Sequence, residues 1–190
     1  HVNGKTYHRL PIKTHVIMPG EDLNPVLEKY VHDHLEDGDI LFITEKIVAI
    51  SQKRAYRVDE IKPRKLAHFL SNFVTKTPHG IGLGMPETME MALQECGTPR
   101  ILLAAGVSAL GKLIGRKGDF YRVAGPKARA IDGPTSGTMP PFNEYVVLGP
   151  KDPDKVAKEV KNFFEDKDIE VVIADINDLG GNILGASSEK

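Results

Sequence analysis

Two aspartates lie in glycine-flanked stretches outside any amphipathic pattern. Asp132 is part of residues 130–137, which read Ala-Ile-Asp-Gly-Pro-Thr-Ser-Gly, and Asp175 ends an apolar run that precedes Gly180-Gly181. An aspartate at the carboxyl end of a strand, beside a glycine turn, is typical of the metal and substrate ligands of α/β proteins. Each alone is more often a turn or helix-cap residue. As a pair, they predict a site for a hard divalent cation that carries nucleotide phosphates.

A second candidate for phosphate chemistry is the stretch 106–112, which has the spacing G-x-x-x-x-G-K of a P-loop. In a P-loop, backbone amides surround the phosphates, the lysine neutralises them, and a following serine or threonine binds magnesium. Here the next residue is Leu113, and Gly115 and Gly118 would each cost about 1 kcal/mol in the helix that must follow. A glycine-bearing turn is the favoured interpretation. A P-loop-like nucleotide-binding protein centred on Lys112 stays as the alternative.

Weaker signals come from a glycine loop and from three histidines. Residues 80–84 precede a helix predicted to begin at Pro86, and helix N-termini attract anions, although the spacing does not match the dinucleotide fingerprint. His79 adjoins this loop and is a candidate functional histidine. His32 and His34 are two residues apart, so on a helix they point away from each other and indicate surface positions rather than a metal site.

Hydrophobic periodicity predicts the elements that position these residues. A Pro19-Gly20 turn and an Asp22 N-cap introduce the first helix, and Gly97 is predicted to end the helix that starts at Pro86. The final strand–helix–strand unit fits a parallel crossover, which indicates an α/β fold. Further helices are predicted from Pro63, with Leu66, Phe69, Leu70 and Phe73 facing inward, and over 154–166; strands over 12–18, 40–43, 101–105, 145–148 and 171–174; and long loops over 76–85, 106–118 and 125–141.

Composition narrows the function classes. The chain has 190 residues, of which 41% are hydrophobic and 27% charged, as expected for one globular domain or two small lobes. Its net charge of -1 provides no overall field for nucleic acid or an anionic membrane surface, and no apolar run approaches the ~20 residues that span a bilayer. The single cysteine, Cys96, fits a reducing compartment, so we expect a cytoplasmic location.

Several stretches, in a fixed order, resemble the gamma-glutamyl ligase family of the deazaflavin coenzyme F420. They extend from about Leu10 to Gly185 and include the Ala130-Ile131-Asp132 and Val172-Ile173-Ala174-Asp175 segments. The other matching stretches are 10–14, 19–23, 37–48 and 147–154. The resemblance predicts one ligase-like domain over residues 1–190 that lacks the family's C-terminal segment, with an α/β fold of helices on a mixed sheet and an interwoven homodimer.

The resemblance also implies an activity: the GTP-dependent addition of L-glutamate to a phosphate-bearing deazaflavin precursor or a related anionic acceptor. Under it, Asp132 and Asp175 bind Mg²⁺ or Mn²⁺. Six further residues are predicted to line the GTP site, and no catalytic residue is predicted. The GTP-site residues are Leu10, Pro11, Ile12, Lys13, Glu45 and Lys46. A binding module that has the fold without the activity is the second alternative.

Overall fold

The computed structural model describes residues 6–74, 81–116, 118–177 and 180–188, and the chain divides into two compact units. Unit 1 comprises His1–Ser51 and Asp152–Lys190, and unit 2 comprises Gln52–Lys151. The helices are α1 (Leu23–Tyr30), α2 (Glu45–Ser51), α3 (Lys65–Ser71), α4 (Pro86–Glu95), α5 (Thr98–Leu113), α6 (Asp119–Ala124), α7 (Pro126–Arg129) and α8 (Pro153–Phe163). The strands are β1 (Ile40–Thr44), β2 (Ala55–Arg57), β3 (Tyr145–Val147), β4 (Glu170–Asn177) and β5 (Gly180–Ala186).

Unit 1 is built on a mixed sheet of order β1-β4-β5, as an α/β fold predicts. β1 runs parallel to β4, from the pair Ile40↔Glu170 to the pair Thr44↔Ala174. On its other edge β4 pairs antiparallel with β5, from Val172↔Ala186 to Asn177↔Gly180. Helix α8 covers β4 and β5, with Val160 and Phe164 buried. A Cβ at Gly185 would overlap the backbone at Pro153 and Asp154, so glycine permits the close approach of β5 to the start of α8.

The start of unit 1 confirms one prediction and contradicts another. Asp22 caps α1, since its carboxylate accepts a hydrogen bond from the Asn24 amide at 3.0 Å, and Gly20 has the positive φ of 85° that the predicted turn requires. The strand predicted over residues 12–18 is wrong, because this segment is irregular. Val16 and Met18 are 40% and 46% exposed, so the run does not present the buried face that would hold a strand in register.

Unit 2 combines a two-stranded antiparallel sheet with helices α3 to α7. β2 pairs with β3 from Ala55↔Val147 to Arg57↔Tyr145. Its core lies mainly between the helices and includes the fully buried side chains of Leu83, Met89, Ala92, Ile101 and Val146. As predicted, α4 begins at Pro86 and is followed by Gly97, which has a φ of 86°. The predicted inner face of the preceding helix is wrong in part, because Phe69 and Phe73 are 59% and 58% exposed.

Three further predictions are wrong, two of them on α5 of unit 2. Residues 101–105 form part of α5, not a strand, and the loop predicted over 106–118 is largely the same helix. A short apolar run does not distinguish a buried strand from a helix, and Pro99 in the first turn together with buried Ile101 and Ala104 favours the helix. The predicted β3–α8–β4 crossover is also wrong, because β3 pairs with β2 while β4 pairs with β1. In the parts of the chain that the structure covers, no helix has the length and apolar character to span a membrane.

Candidate functional site

The carboxyl edge of the parallel β1–β4 pair gathers three of the predicted site residues in unit 1. β1 ends at Thr44, whose Cα partner is Ala174 of β4. Glu45 and Lys46 follow Thr44 in the first turn of α2, and Asp175 follows Ala174. Because parallel strands end on one edge, these three residues lie at the same edge, where open α/β sheets bind their ligands.

The side chains of Glu45, Lys46 and Asp175 differ in how far they are buried. Glu45 is buried, with 9% of its surface exposed, whereas Lys46 is exposed on the first turn of α2. Asp175 is partly buried and, by strand alternation, faces the same side of the sheet as buried Val171 and Ile173. The expectation that Asp175 ends its strand is wrong, since β4 continues to Asn177 and Asp175 pairs with Asn182 of β5. The pairing of β4 with β5 therefore continues beyond the end of β1.

The predicted nucleotide-binding segment Leu10–Lys13 lies in the irregular start of unit 1. Leu10, Pro11 and Lys13 are exposed and Ile12 is partly buried. A short hydrogen-bonded chain fastens the residues that follow. Glu21 accepts from the Met18 amide at 2.9 Å and from Nε2 of His15 at 2.6 Å, while Nδ1 of His15 lies 3.1 Å from the Tyr30 hydroxyl of α1.

The hydrogen bonds of Glu21 determine the protonation state of its carboxyl group. The backbone hydrogen bond from Met18, and then the contact with His15, lower the pKa of the Glu21 carboxyl, so it is ionised at neutral pH. Sequence reasoning did not single out His15 or Glu21 for this role. The available hint in the sequence was the spacing of the two residues: His15 lies six positions before Glu21, the acid that follows the Pro19-Gly20 turn.

Asp132 belongs to unit 2, beside the short sheet. Its amide donates to the Val147 carbonyl and its carbonyl accepts from the Val147 amide, both at 2.9 Å. The next residue, Gly133, lies against the start of α4, because a Cβ there would come within 3.1 Å of Thr88 Cγ2 and 3.6 Å of Met85 Sδ. The structure therefore brings the residue after Asp132 next to Ile81, in the described part of the predicted glycine loop (81–84). His79 and Gly80 lie outside the described residues.

The proposed metal pair divides between the units, with Asp132 in unit 2 and Asp175 in unit 1. Within the residues that the structure describes, no cluster of three or more histidine, cysteine, aspartate or glutamate side chains is placed to hold a metal ion. The shared site of Asp132 and Asp175 stays a prediction. Its donors are carboxylate oxygens, which suit Mg²⁺ or Mn²⁺.

The P-loop interpretation is wrong. Residues 106–112 lie inside α5, where backbone amides serve the helix and do not form a loop that could surround phosphate. Lys112 donates from Nζ to the Phe73 carbonyl at 2.7 Å. Gly111 has a packing role, since a Cβ at this position would overlap Oδ2 of buried Asp119.

Asp119 is a buried carboxylate that sequence reasoning missed. Its Oδ1 lies 3.1 Å from guanidinium nitrogens of both Arg116 and Arg122, and it opens helix α6 beside Gly111 of α5. A buried charge is stable only when paired, so the two arginines and the missing side chain at Gly111 form one structural arrangement.

The two histidines of the unit 1 turn have different surroundings. His34 is exposed, as predicted. His32 is partly buried, stacks on Phe164 with ring centroids 6.0 Å apart, and places Nε2 3.1 Å from the Asp166 carboxylate. The Asp166 hydrogen bond, followed by the one to Asp33, raises the pKa of His32. The stacking on Phe164 and the hydrogen bond to Asp166 indicate that His32 has a structural role.

Comparison with known proteins identifies the class to which this fold and these segments belong. The family model for F420-0:gamma-glutamyl ligase matches residues 11–179. The chain therefore belongs to the F420-0:gamma-glutamyl ligase family, an enzyme family, as the ordered segments predicted. The chain is also 27% identical over 164 residues to the coenzyme F420:L-glutamate ligase of Methanopyrus kandleri, a match that covers 84% of this chain and 55% of that protein. The chain thus spans about half the length of this curated relative.

Proposed function

We propose that this protein acts in the GTP- and metal-dependent ligation of L-glutamate to a phosphate-bearing deazaflavin precursor or a related anionic acceptor. Family membership and the name of the Methanopyrus kandleri relative support glutamate ligation. The structural observation that carries the proposal is the convergence of Glu45, Lys46 and Asp175 on one sheet edge in unit 1. A buried acid, an exposed cation and a strand-held carboxylate together suit a bound nucleotide with its metal.

Amide formation from a carboxylate needs an activated acyl group. In the proposed reaction, an acceptor carboxylate oxygen attacks the γ-phosphorus of GTP, which gives an acyl phosphate and GDP. The glutamate amine then attacks the acyl carbon, loses a proton and displaces inorganic phosphate. Bound Mg²⁺ or Mn²⁺ would supply charge neutralisation on the transferring phosphoryl group, held by Asp132 and Asp175. Lys46 would bind phosphate oxygens with its ammonium.

The remaining expectations accompany this function as proposals. We propose a homodimer with interwoven subunits that works in the cytoplasm. Leu10–Lys13 would contact the nucleotide from the segment that precedes the His15–Glu21 contact. The His15–Glu21 contact would fix the chain just after Lys13, while the exposed residues of Leu10–Lys13 bind the nucleotide.

The test is nucleotide titration by calorimetry with and without Mg²⁺ or Mn²⁺, together with a ligation assay using L-glutamate. Asp132→Asn and Asp175→Asn should each weaken metal-dependent GTP binding, and the double variant should lose much less than the sum because both act on one ion. Asp33→Asn is the matched control, since it removes the same charge from a side chain that is 97% exposed. Additive losses would mean two independent sites. GTP binding without ligation would favour the binding-module alternative.

A further inference from the structure

Unit 2 contains an open cleft of about 360 Å³ that lies outside the predicted nucleotide and metal residues. It is formed where the end of β2 meets the turn before β3, because Arg57 and Tyr145 are paired across the two strands. The size falls in the range of small-molecule sites. The residues that line it are Arg57, Val58, Asp59, Pro134, Asn143 and Glu144.

The cleft presents a fixed cation. Asp59 accepts from Nε and from one terminal nitrogen of Arg57, both at 2.9 Å, which is the bidentate arrangement that fixes the plane of a guanidinium. Asp59 takes up two of the five N–H donors that an arginine carries. The other donors point along the free edge of the same plane, and a ligand carboxylate needs only two of them for a second bidentate pair.

The cleft also presents an anion and an amide. Glu144 is exposed, and Asn143 beside it is partly buried. Glu144 and Arg57 line the same cleft. The Asp59 hydrogen bond and charge, and to a smaller extent Tyr145 and Glu144, raise the pKa of the Arg57 guanidinium. A cation held in plane and a carboxylate near it, beside the apolar surfaces of Val58 and Pro134, match a zwitterion with a short carbon frame.

The cleft lies close to Asp132, a predicted metal-binding residue of the same unit. Pro134 lines the cleft two residues after Asp132, whose backbone is paired with Val147 of β3. Glu144, on the opposite wall, immediately precedes β3. Both walls are therefore fixed by the strand that holds Asp132, so a molecule in the cleft lies beside the Asp132 segment.

We propose that this cleft binds the α-amino acid substrate, with Arg57 on its α-carboxylate and Glu144 on its α-ammonium. The inference rests on the proposed function for the identity of the amino acid, L-glutamate. It assigns recognition of that substrate to unit 2 and gives Asp59 a positioning role, since its bidentate pair orients Arg57.

The test is calorimetric titration of the full chain with L-glutamate, with glutarate, which lacks the ammonium, and with 4-aminobutyrate, which lacks the α-carboxylate. We expect both analogues to bind at least about tenfold more weakly than L-glutamate, since each loses one charge-assisted contact. Arg57→Ala and Glu144→Gln should each weaken L-glutamate binding by about tenfold or more. Arg57→Lys should restore only part of the affinity, because an ammonium does not form the bidentate pair. Circular dichroism melts establish that each variant is folded.

Lys155→Ala is the matched control, because Lys155 also belongs to an exposed ion pair, with Glu159 at 3.5 Å on α8. It should leave L-glutamate affinity unchanged. Absence of L-glutamate binding by the wild type at millimolar concentration, or equal affinity in wild type and Arg57→Ala, overturns the inference.

The outcomes separate this inference from the proposed function. L-Glutamate binding that depends on Arg57 and Glu144, in a protein that forms no amide from GTP, supports the cleft and contradicts the ligase proposal. Ligation with an unchanged KM for L-glutamate in Arg57→Ala supports the ligase proposal and contradicts the cleft.

Discussion

The carboxyl edge of β1–β4 in unit 1 and the α5–α6 junction in unit 2 use similar residues in opposite ways. Each contains a lysine and an aspartate: Lys46 and Asp175 at the edge, and Lys112 and Asp119 at the junction. At the junction, Lys112 contacts a backbone carbonyl, and Asp119 is buried between two arginines. At the edge, Lys46 is exposed and Asp175 is partly buried. Lys46 and Asp175 at the strand end keep surface exposure, whereas the Asp119 carboxylate between the helices is buried and stabilises packing.

The largest expected effect tests the packing role of the junction. Gly111→Ala should destabilise the protein by about 2–4 kcal/mol, because the added methyl displaces the buried Asp119 carboxylate from its arginine partners. The measurement is urea unfolding followed by circular dichroism. Gly106→Ala, in the same helix, is the control, since a Cβ there meets nothing within 4 Å. It should stabilise by about 0.5–1 kcal/mol through helix propensity. Equal effects of the two substitutions would contradict the assigned packing.

A second prediction compares the two lysines. Lys46→Ala should weaken GTP binding by about 1–3 kcal/mol, the usual loss for a hydrogen bond to a charged group, and leave the melting temperature nearly unchanged. Lys112→Ala should lower stability by about 1 kcal/mol, because its Nζ contact with Phe73 is lost, and leave GTP affinity unchanged. Calorimetry and thermal melts on both variants provide the comparison. A loss of GTP affinity in Lys112→Ala but not in Lys46→Ala would contradict the roles assigned to both lysines.

The smallest expected effect is a change in how the stability of the protein depends on acidic pH. At the start of β4, Glu170 accepts a hydrogen bond from the Ser187 hydroxyl at 2.6 Å and from Lys161 at 2.9 Å. The Ser187 bond, followed by the Lys161 and Ser188 bonds, lowers the pKa of Glu170 to about 2 from 4.5. Because the folded pKa is the lower one, this stabilisation is fully present above pH 4.5 and is lost as pH falls from 4.5 to about 2.

Ser187→Ala should therefore reduce the stability of the protein at pH 7 and flatten its decline between pH 4.5 and 2, measured as unfolding midpoints across pH. Ser136→Ala provides a control, because Ser136 is an exposed serine of unit 2. An unchanged slope in Ser187→Ala would mean that Glu170 does not titrate with the lowered pKa.

The accuracy of the sequence predictions follows the physical strength of the local signals. Asp22, Gly20 and Gly97 were placed correctly because caps and positive-φ turns depend on a few adjacent residues. β1 and β4 were found because β-branched apolar runs bounded by polar residues indicate buried strands. The strand of residues 12–18 and the loop of 106–118 were wrong, because the first needs a pairing partner and the second depends on packing across α5.

The candidate site was accessible from sequence only through single segments and the family resemblance. Asp132, Asp175, Glu45 and Lys46 were predicted as site residues, and strand register places three of them at one sheet edge. The Arg57–Asp59 pair and Glu144 were not found, since 85 positions (144 minus 59) separate them in the sequence. Their proximity depends on the β2–β3 register, which no local pattern encodes.

Unit 1 is formed by two separate stretches of the chain, and this has a consequence for its synthesis on the ribosome. The paired residues Thr44 and Ala174 are 130 positions apart (174 minus 44), so β1 leaves the ribosome long before β4 exists. At about 5–20 residues per second, the delay is roughly 7–26 s. Unit 2, a continuous stretch, can be complete within that interval. The nascent chain therefore carries an unpaired apolar strand while its second unit folds, and a chaperone that covers such a strand should raise the yield of native protein.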